Sequence, residues 1–293
     1  MMSAVERGAL HALAYADIFD YPLTAAEAHR YLSVPAKPSE VRAGLDRLAG
    51  DRLHSRDGFY ALPGRGEIVD ARRARADRAA LLWPHALHYG RLLAGLPFVR
   101  MVAVTGSLAL DNADEGSDLD YLLVTAPGRV WVVRALSSLV RRSAARAGIH
   151  VCPNYILSER SLALREHNLF TAHELLQMVP IAGAAVYRRM LRINDWAAAY
   201  LPNAAATAAR GGAAPPAWAA RVTRAAELAL RSPIGTLLER SERARLTRKL
   251  ARRGLDRSEV EYTVDCCKDH VDARGRQVLS AYEARVAALG ELS

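Results

Sequence analysis

The 293-residue chain predicts an α+β fold in three parts: a helical N-terminal unit closed by a hairpin, a central α/β unit with a mixed sheet, and a helical C-terminal region. Three observations predict it. Apolar residues recur at helical spacing through the first fifty positions and end in a hairpin signal. Two valine- and leucine-rich runs flank a small-residue turn between positions 100 and 125, and helical spacing returns beyond position 161. The expected boundaries are 1–65, 66–96 for connecting helices, 97–160, and 161–293 with a flexible loop at 203–217.

In VERGALHALAYADIF the apolar residues fall on one helical face. Pro22 stops that helix, and Thr24 can cap a second, AEAHRYLSV. After Pro38, Ser39 is placed to cap a third, in which Val41, Leu45 and Leu48 share a face. In LHSRDGFYAL, Asp57-Gly58 supplies the positive-φ pair that a two-residue hairpin turn needs. Three helices closed by a hairpin resemble the winged-helix family of DNA-binding domains, which implies nucleic acid as a partner. The third helix gives that little support: Glu40, Arg42, Asp46, Arg47, Asp51 and Arg52 sum to zero charge, whereas duplex affinity rests on a surplus of Lys and Arg. Packing or protein contact is the alternative use.

From Glu67 to Gly95 runs a long helical pattern that Pro84 should kink or split. Arg72, Arg73, Arg75 and Arg78 fall on successive turns and predict a solvated basic face joining two units. Positions 100–104 then form an apolar strand, Thr105-Gly106-Ser107 a turn, LALDN a short helix, and DLDYLLV a second strand. Residues i and i+2 of a strand point the same way, so Asp118 and Asp120 project together, opposite Leu119 and Tyr121. Two carboxylates held that close repel unless a cation sits between them. Mg²⁺, or Mn²⁺ in its place, suits the pair, because Mg²⁺ shares one or two carboxylates with substrate phosphates. Gly106 has no Cβ and lets backbone and the Ser107 hydroxyl approach a phosphate.

Gly106-Ser107 followed by Ser117-Asp118-Leu119-Asp120 resembles the Gly-Ser…Asp-x-Asp signature of the DNA polymerase beta-like nucleotidyltransferase superfamily, in its minimal and antibiotic-type members. The resemblance covers residues 98–157. It implies that Gly106, Ser107 and Ser117 bind a nucleoside triphosphate and that Asp118 and Asp120 ligate the metal. The implied reaction moves a nucleoside monophosphate to an unidentified acceptor, either small molecule, RNA or protein, and releases pyrophosphate. Two departures stand out. Where minimal members carry arginines after the Gly-Ser, this chain has Asp111, Asp114 and Glu115, so phosphate neutralisation falls to Arg129 or Arg134 on the next helix. The third carboxylate of active members has no counterpart in IHVCPNYIL. Asn154, on the face shared with His150, Cys152 and Ile156, is the catalytic substitute, with His150 as a possible base and Glu159 and Glu174 near enough to reach in. A second reading is therefore a catalytically impaired nucleotide-sensing or nucleic-acid-binding regulator working through the winged helix, and a third is an adaptor.

The remainder reads as helices, broken at Pro180, with Tyr187, Trp196 and Tyr200 as packing residues. NAAATAARGGAAPPA is read as a flexible loop. Residues 240–254, from Arg240 to Gly254, are rich in Arg and Lys with Glu242 as their one acid, a solvated face or a nucleic-acid contact. The adjacent Cys266 and Cys267 are read as helical and pointing apart, which excludes a metal site. Lys and Arg total 40 against 31 acids, a charge of +9 that suits an anionic partner. Three cysteines without CxxC spacing exclude a disulfide framework, and no apolar run reaches about 18 residues, so a cytoplasmic protein without a membrane partner is expected.

Overall fold

A computed structural model describes residues 2–211, 217–252, 260–269 and 273–290. Helix α1 (Ala4–Asp17) starts at Ser3, whose hydroxyl accepts from the Glu6 N–H while the Glu6 carboxylate accepts from the Ser3 N–H. Strand β1 (Leu23–Thr24) leads into α2 (Ala25–Arg30), where Thr24 and Glu27 form the same reciprocal cap. Helix α3 (Pro38–Leu48) buries Val41, Leu45 and Leu48. Ser39 does not cap it. Pro38 takes the first helical position, where its missing N–H is no loss, and Lys37 occupies the cap. Strands β2 (His54–Arg56) and β3 (Phe59–Ala61) turn at Asp57 and Gly58, with φ of 55° and 81°. The three strands pair in the order β1-β3-β2.

Helix α4 (Ile68–Ala94) continues through Pro84 without dividing. Trp83, Ala86, Tyr89 and Leu93 are buried along its length, and that packing outweighs the one backbone bond the proline removes. Nor do three of the four arginines at 72–78 form a solvated face, while Arg73 is exposed and pairs with Asp57 at 2.8 Å. Arg72 is buried and donates to the Asp111 carbonyl at 2.8 Å, Arg75 pairs with Asp114 at 2.7 Å, and Arg78 pairs with Glu115 at 3.1 Å. The acids between the two sequence motifs are thus the partners of α4.

Strand β4 (Val99–Val104), helix α5 (Gly106–Ala109), strand β5 (Leu119–Thr125), helix α6 (Val130–Arg146) and strand β6 (Val151–Ser158) follow in turn. After them come α7 (Leu169–Gln177), β7 (Val179–Ala182), α8 (Ala184–Ile193), α9 (Ala197–Tyr200), α10 (Ala217–Leu230), α11 (Pro233–Arg252), β8 (Val260–Tyr262), β9 (Cys266–Asp269) and α12 (Ala273–Gly290). The second sheet is mixed, in the order β7-β4-β5-β6-β9-β8, with β5 and β6 parallel and the other neighbours antiparallel.

Two of its strands replace expected helix. Pro180 sits in β7, an edge strand, where a residue without an N–H is tolerated. Gly183 ends that strand at φ 75°, and a Cβ there would strike the Arg100 carbonyl oxygen. Cys266 and Cys267 lie in β9, one on each face of the sheet. The central sheet therefore extends well past 97–160. The expected loop at 203–217 is partly docked: Asn203 bonds to Ala36 and Val34, Thr207 to Leu176, and the Arg210 N–H to Pro180. Residues 212–216 of it lie outside the described residues.

One face of the sheet carries Val102, Val104, Tyr121 and Leu123, packed with α4 and Trp131 of α6. The other carries Met101, Ala103, Leu122, Val124 and Leu157, in one buried cluster with Leu13, Leu45 and Tyr60 of the N-terminal unit and with α7, α8 and α9. Among the described residues no helix is long and apolar enough to cross a membrane.

Candidate functional site

The Gly-Ser turn and the Asp-x-Asp strand meet because β4 and β5 are antiparallel neighbours, with Val104 opposite Tyr121. The Thr105 N–H donates to the Asp120 carbonyl at 3.0 Å. Gly106 then turns at φ 66°, and a Cβ on it would stand 2.7 Å from Asp120 Oδ2. Only glycine satisfies both demands. Leu119 and Tyr121 are buried on the far face while Asp120 faces a cavity, as the alternation requires.

That cavity has a volume of about 1030 Å³. Its floor is the sheet: Thr105, Gly106, Ser107, Asp120, Asn154, Tyr155 and Lys268. Its roof is formed by Tyr15 of α1, Phe19 in the turn that follows it, His173 and Glu174 of α7, and Arg274 of α12. Tyr15 stacks on His173 at 3.9 Å, which fixes α7 against α1. Burial, then the Arg30 charge, lowers the His173 pKa to about 3, so this ring is a neutral packing group. Helix α12 is pinned to α1 by Arg285, whose Nε donates to Asp17 at 2.8 Å.

Asp120 is the electrostatic centre. Burial, then the charges of Asp118 and Glu174, raise its pKa to about 6, while Arg274 and the Cys152 thiol act in the opposite direction. Its Oδ1 accepts from Asn154 Nδ2 at 2.9 Å. Asp118 is exposed and outside the cavity lining, yet near enough for its charge to act on Asp120. Glu174 opens onto the cavity, but the cavity is walled by protein, so burial raises this carboxyl too, against the pull of Arg274 and Lys268.

Not every expected site residue is here. Ser117 closes a turn: its hydroxyl accepts from the Asp114 N–H at 2.8 Å, and it does not line the cavity. Arg129 follows the far end of β5, roughly 20 Å of strand away from Asp118 at the usual rise per residue. It lies over the Phe98 ring at 5.0 Å and lines a separate pocket with Arg240 and Arg243. The cations that face the acids are instead Lys268 and Arg274, from the strand and helix that close the chain. Ile156 also leaves the expected face. A bulge in β6 between the partners of Asp120 and Leu122 shifts the alternation, and Ile156 is buried with α4 and α6. Pro153, which cannot donate to a ladder, marks that bulge in the sequence. The alternation of Val260 and Tyr262 about Glu261 was the signal for β8, the hairpin partner of the strand that delivers Lys268.

Among the described residues no group of three or more His, Cys, Asp and Glu side chains stands close enough together to hold a metal ion. The aspartate pair fits a different mode. Mg²⁺ is commonly bound by one or two carboxylates and completed by substrate phosphates and water, and Asp118 and Asp120 are the residues that could contribute such carboxylates. No protein-family model, curated protein or solved structure matches the chain.

Proposed function

We propose that this protein is a metal-dependent nucleotidyltransferase, which moves a nucleoside monophosphate from a nucleoside triphosphate to an acceptor and releases pyrophosphate. The observation that carries the reading is the seating of Gly106 against Asp120 at the edge of the cavity, with Asp118 and Glu174 adding charge to the same point. This matches the resemblance of the Gly-Ser and Asp-x-Asp motifs to the polymerase beta-like superfamily. Gly106 and Ser107 hold the phosphates by backbone N–H and hydroxyl. Asp118 and Asp120 hold Mg²⁺ or Mn²⁺, which when bound neutralises the phosphates and the developing pyrophosphate. Arg274 supports the triphosphate charge in place of Arg129. Glu174 is placed to accept the proton of the attacking hydroxyl, a task its raised pKa suits.

The N-terminal unit, three helices with a three-stranded sheet, is read as a winged helix, but α1 serves as a wall of the cavity and the exposed charges of α3 balance. That favours a structural use over DNA reading. The basic segment at 240–254 is read as a solvated face, with Glu242 already paired to Arg245 at 2.7 Å; its residues 253 and 254 lie outside the described residues.

One observation favours the second reading. Asn154 offers Asp120 an N–H where active members of the superfamily place a third acid, which suits a nucleotide sensor that no longer turns over. The two are separated by fluorescent nucleoside triphosphate binding and pyrophosphate release measured on the same samples. The enzyme reading expects both, dependent on Mg²⁺ and lost in Asp118→Ala/Asp120→Ala. Binding without release identifies the sensor, and no binding in the wild-type chain overturns both readings.

A further inference from the structure

Away from the cavity, helices α10 and α11 sort their charges by side. Their three acids are all engaged within the fold. Glu227 of α10 accepts from the Phe98 N–H at 2.7 Å and pairs with Arg100 at 2.8 Å. Glu239 of α11 accepts from the Trp131 and Val132 N–H groups that open α6, and Glu242 pairs with Arg245 at 2.7 Å. The arginines take the opposite course. Arg221, Arg224, Arg240 and Arg248 are exposed and hold no ion pair among the described residues. The outer side of the two helices therefore presents cations with no free acid of its own.

The same helices hold large aliphatic side chains in water. Val222 and Leu228 of α10 are 61% and 63% exposed, and Ile234 and Leu237 of α11 are 74% and 68% exposed. Val264, in the turn between β8 and β9, is also exposed and lines a pocket with Thr236 and Arg240, which places it beside α11. A single exposed leucine is ordinary, but several within two adjoining helices mark a contact surface. The helices are fixed in place, since Thr223 donates to the Gly95 carbonyl at 2.9 Å and Glu239 ties α11 to α6. The combination of protruding aliphatic groups and unpaired arginines selects what covers it. A second copy across a two-fold axis would set arginine against arginine. Nucleic acid would meet the cations, yet bases stack on aromatic rings and gain nothing from Ile234 and Leu237. A partner helix needs a groove to lie in, whereas these side chains stand out from the surface. A bilayer with anionic headgroups accepts both features, arginine at the phosphates and the aliphatic groups at the acyl boundary.

From these features we infer that the outer side of α10 and α11 is a contact surface for lipid bilayers that carry anionic headgroups. Ile234 and Leu237 enter the boundary between headgroups and acyl chains, while Arg221, Arg224, Arg240 and Arg248 meet the phosphates. Such a contact lies in the plane of the interface, so it requires no apolar run long enough to span. It stands independently of the nucleotidyltransferase reading.

The test is flotation of the full chain with vesicles at physiological ionic strength. Vesicles of phosphatidylcholine alone are compared with vesicles of phosphatidylcholine and phosphatidylglycerol at a ratio of about three to one. The chain is expected to float with the anionic vesicles only. Ile234→Ser/Leu237→Ser and Arg221→Gln/Arg240→Gln are each expected to weaken that binding about tenfold or more, with the thermal midpoint by circular dichroism unchanged. Arg188→Gln/Arg189→Gln, which removes the same charge from the exposed side of α8, should change it less than about twofold. An equal loss in that control would mean that vesicles sense only the net charge of +9, and the surface would be overturned. Full affinity in Ile234→Ser/Leu237→Ser, with displacement of the chain by single-stranded RNA, would make the face a nucleic-acid contact instead. Absence of flotation, together with a dimer by analytical ultracentrifugation that Leu237→Ser dissociates, would identify a second copy as the occupant. Equal binding to both vesicle types, or to neither, also overturns the inference.

Discussion

Asp120 is held where a carboxylate is disfavoured, and its titration makes that measurable. Its folded pKa of about 6 lies above the ordinary value of 3.8, so between those limits the native state binds the proton more tightly than the unfolded chain. Stability from this group is therefore present at acid pH, declines as pH rises from about 4 to about 6, and stays low above that. Asp120→Asn keeps an acceptor for Asn154 and removes the charge. It is expected to raise stability by about 1–3 kcal/mol at pH 8 and by nothing at pH 4, measured by urea unfolding, while abolishing Mg²⁺-dependent nucleotide binding. Equal effects at both pH values would show that the Asp120 carboxylate is not under this strain. Gly106 obeys the opposite rule, because an added methyl meets both a left-handed φ and Asp120 Oδ2. Gly106→Ala should cost about 1–3 kcal/mol in the same assay and weaken nucleotide binding, with no dependence on pH near 8.

At the scale of elements, the start of α6 shows how distant segments complete one another. The Trp131 and Val132 N–H groups, orphans of the first turn, donate to the two carboxylate oxygens of Glu239 on α11 at 3.0 and 2.7 Å. Glu239→Ala should cost about 2–3 kcal/mol, read as a fall in the denaturation midpoint at unchanged slope, because it leaves two buried donors unmet. No local signal announces such a cap, since the partners stand 108 positions apart. That contrast describes what was legible. Local rules gave α1, α2, α3 and the Asp57-Gly58 turn, where propensity, capping and apolar spacing act within ten residues. They also gave the Gly106–Asp120 pairing, because strand, turn and strand lie close in sequence. They failed at β7, where Pro180 resembles a helix breaker until an edge is known to be there, and at β8 and β9, which are short. Ser117, taken from the resemblance, and Arg129, taken because acids follow the Gly-Ser, lie off the cavity: a turn bond holds one and the far end of β5 carries the other.

The whole molecule poses the question of independence. A winged-helix unit read from sequence at 1–65 suggests a separable domain, which unfolds on its own. The packing argues otherwise. Leu13, Leu45 and Tyr60 share one buried cluster with Leu122 and Leu157 of the sheet and with Met178 and Tyr187 beyond it. Polar ties cross the same boundary: Arg72 of α4 reaches Tyr21 at 2.8 Å and the Asp111 carbonyl at 2.8 Å, and Tyr21 donates to the Leu110 carbonyl at 3.0 Å. Removing the first unit would strip the apolar cover from one face of the sheet and the roof from the cavity. Urea unfolding should therefore be a single transition. None of the four tryptophans lies within 1–65, so tryptophan fluorescence reports on the later segments while far-ultraviolet circular dichroism includes α1, α2 and α3. Coincident curves are expected from the two probes. A dichroism loss that precedes the fluorescence change would mean the first unit detaches while the sheet persists, and the cavity roof would then be a movable domain rather than part of the core.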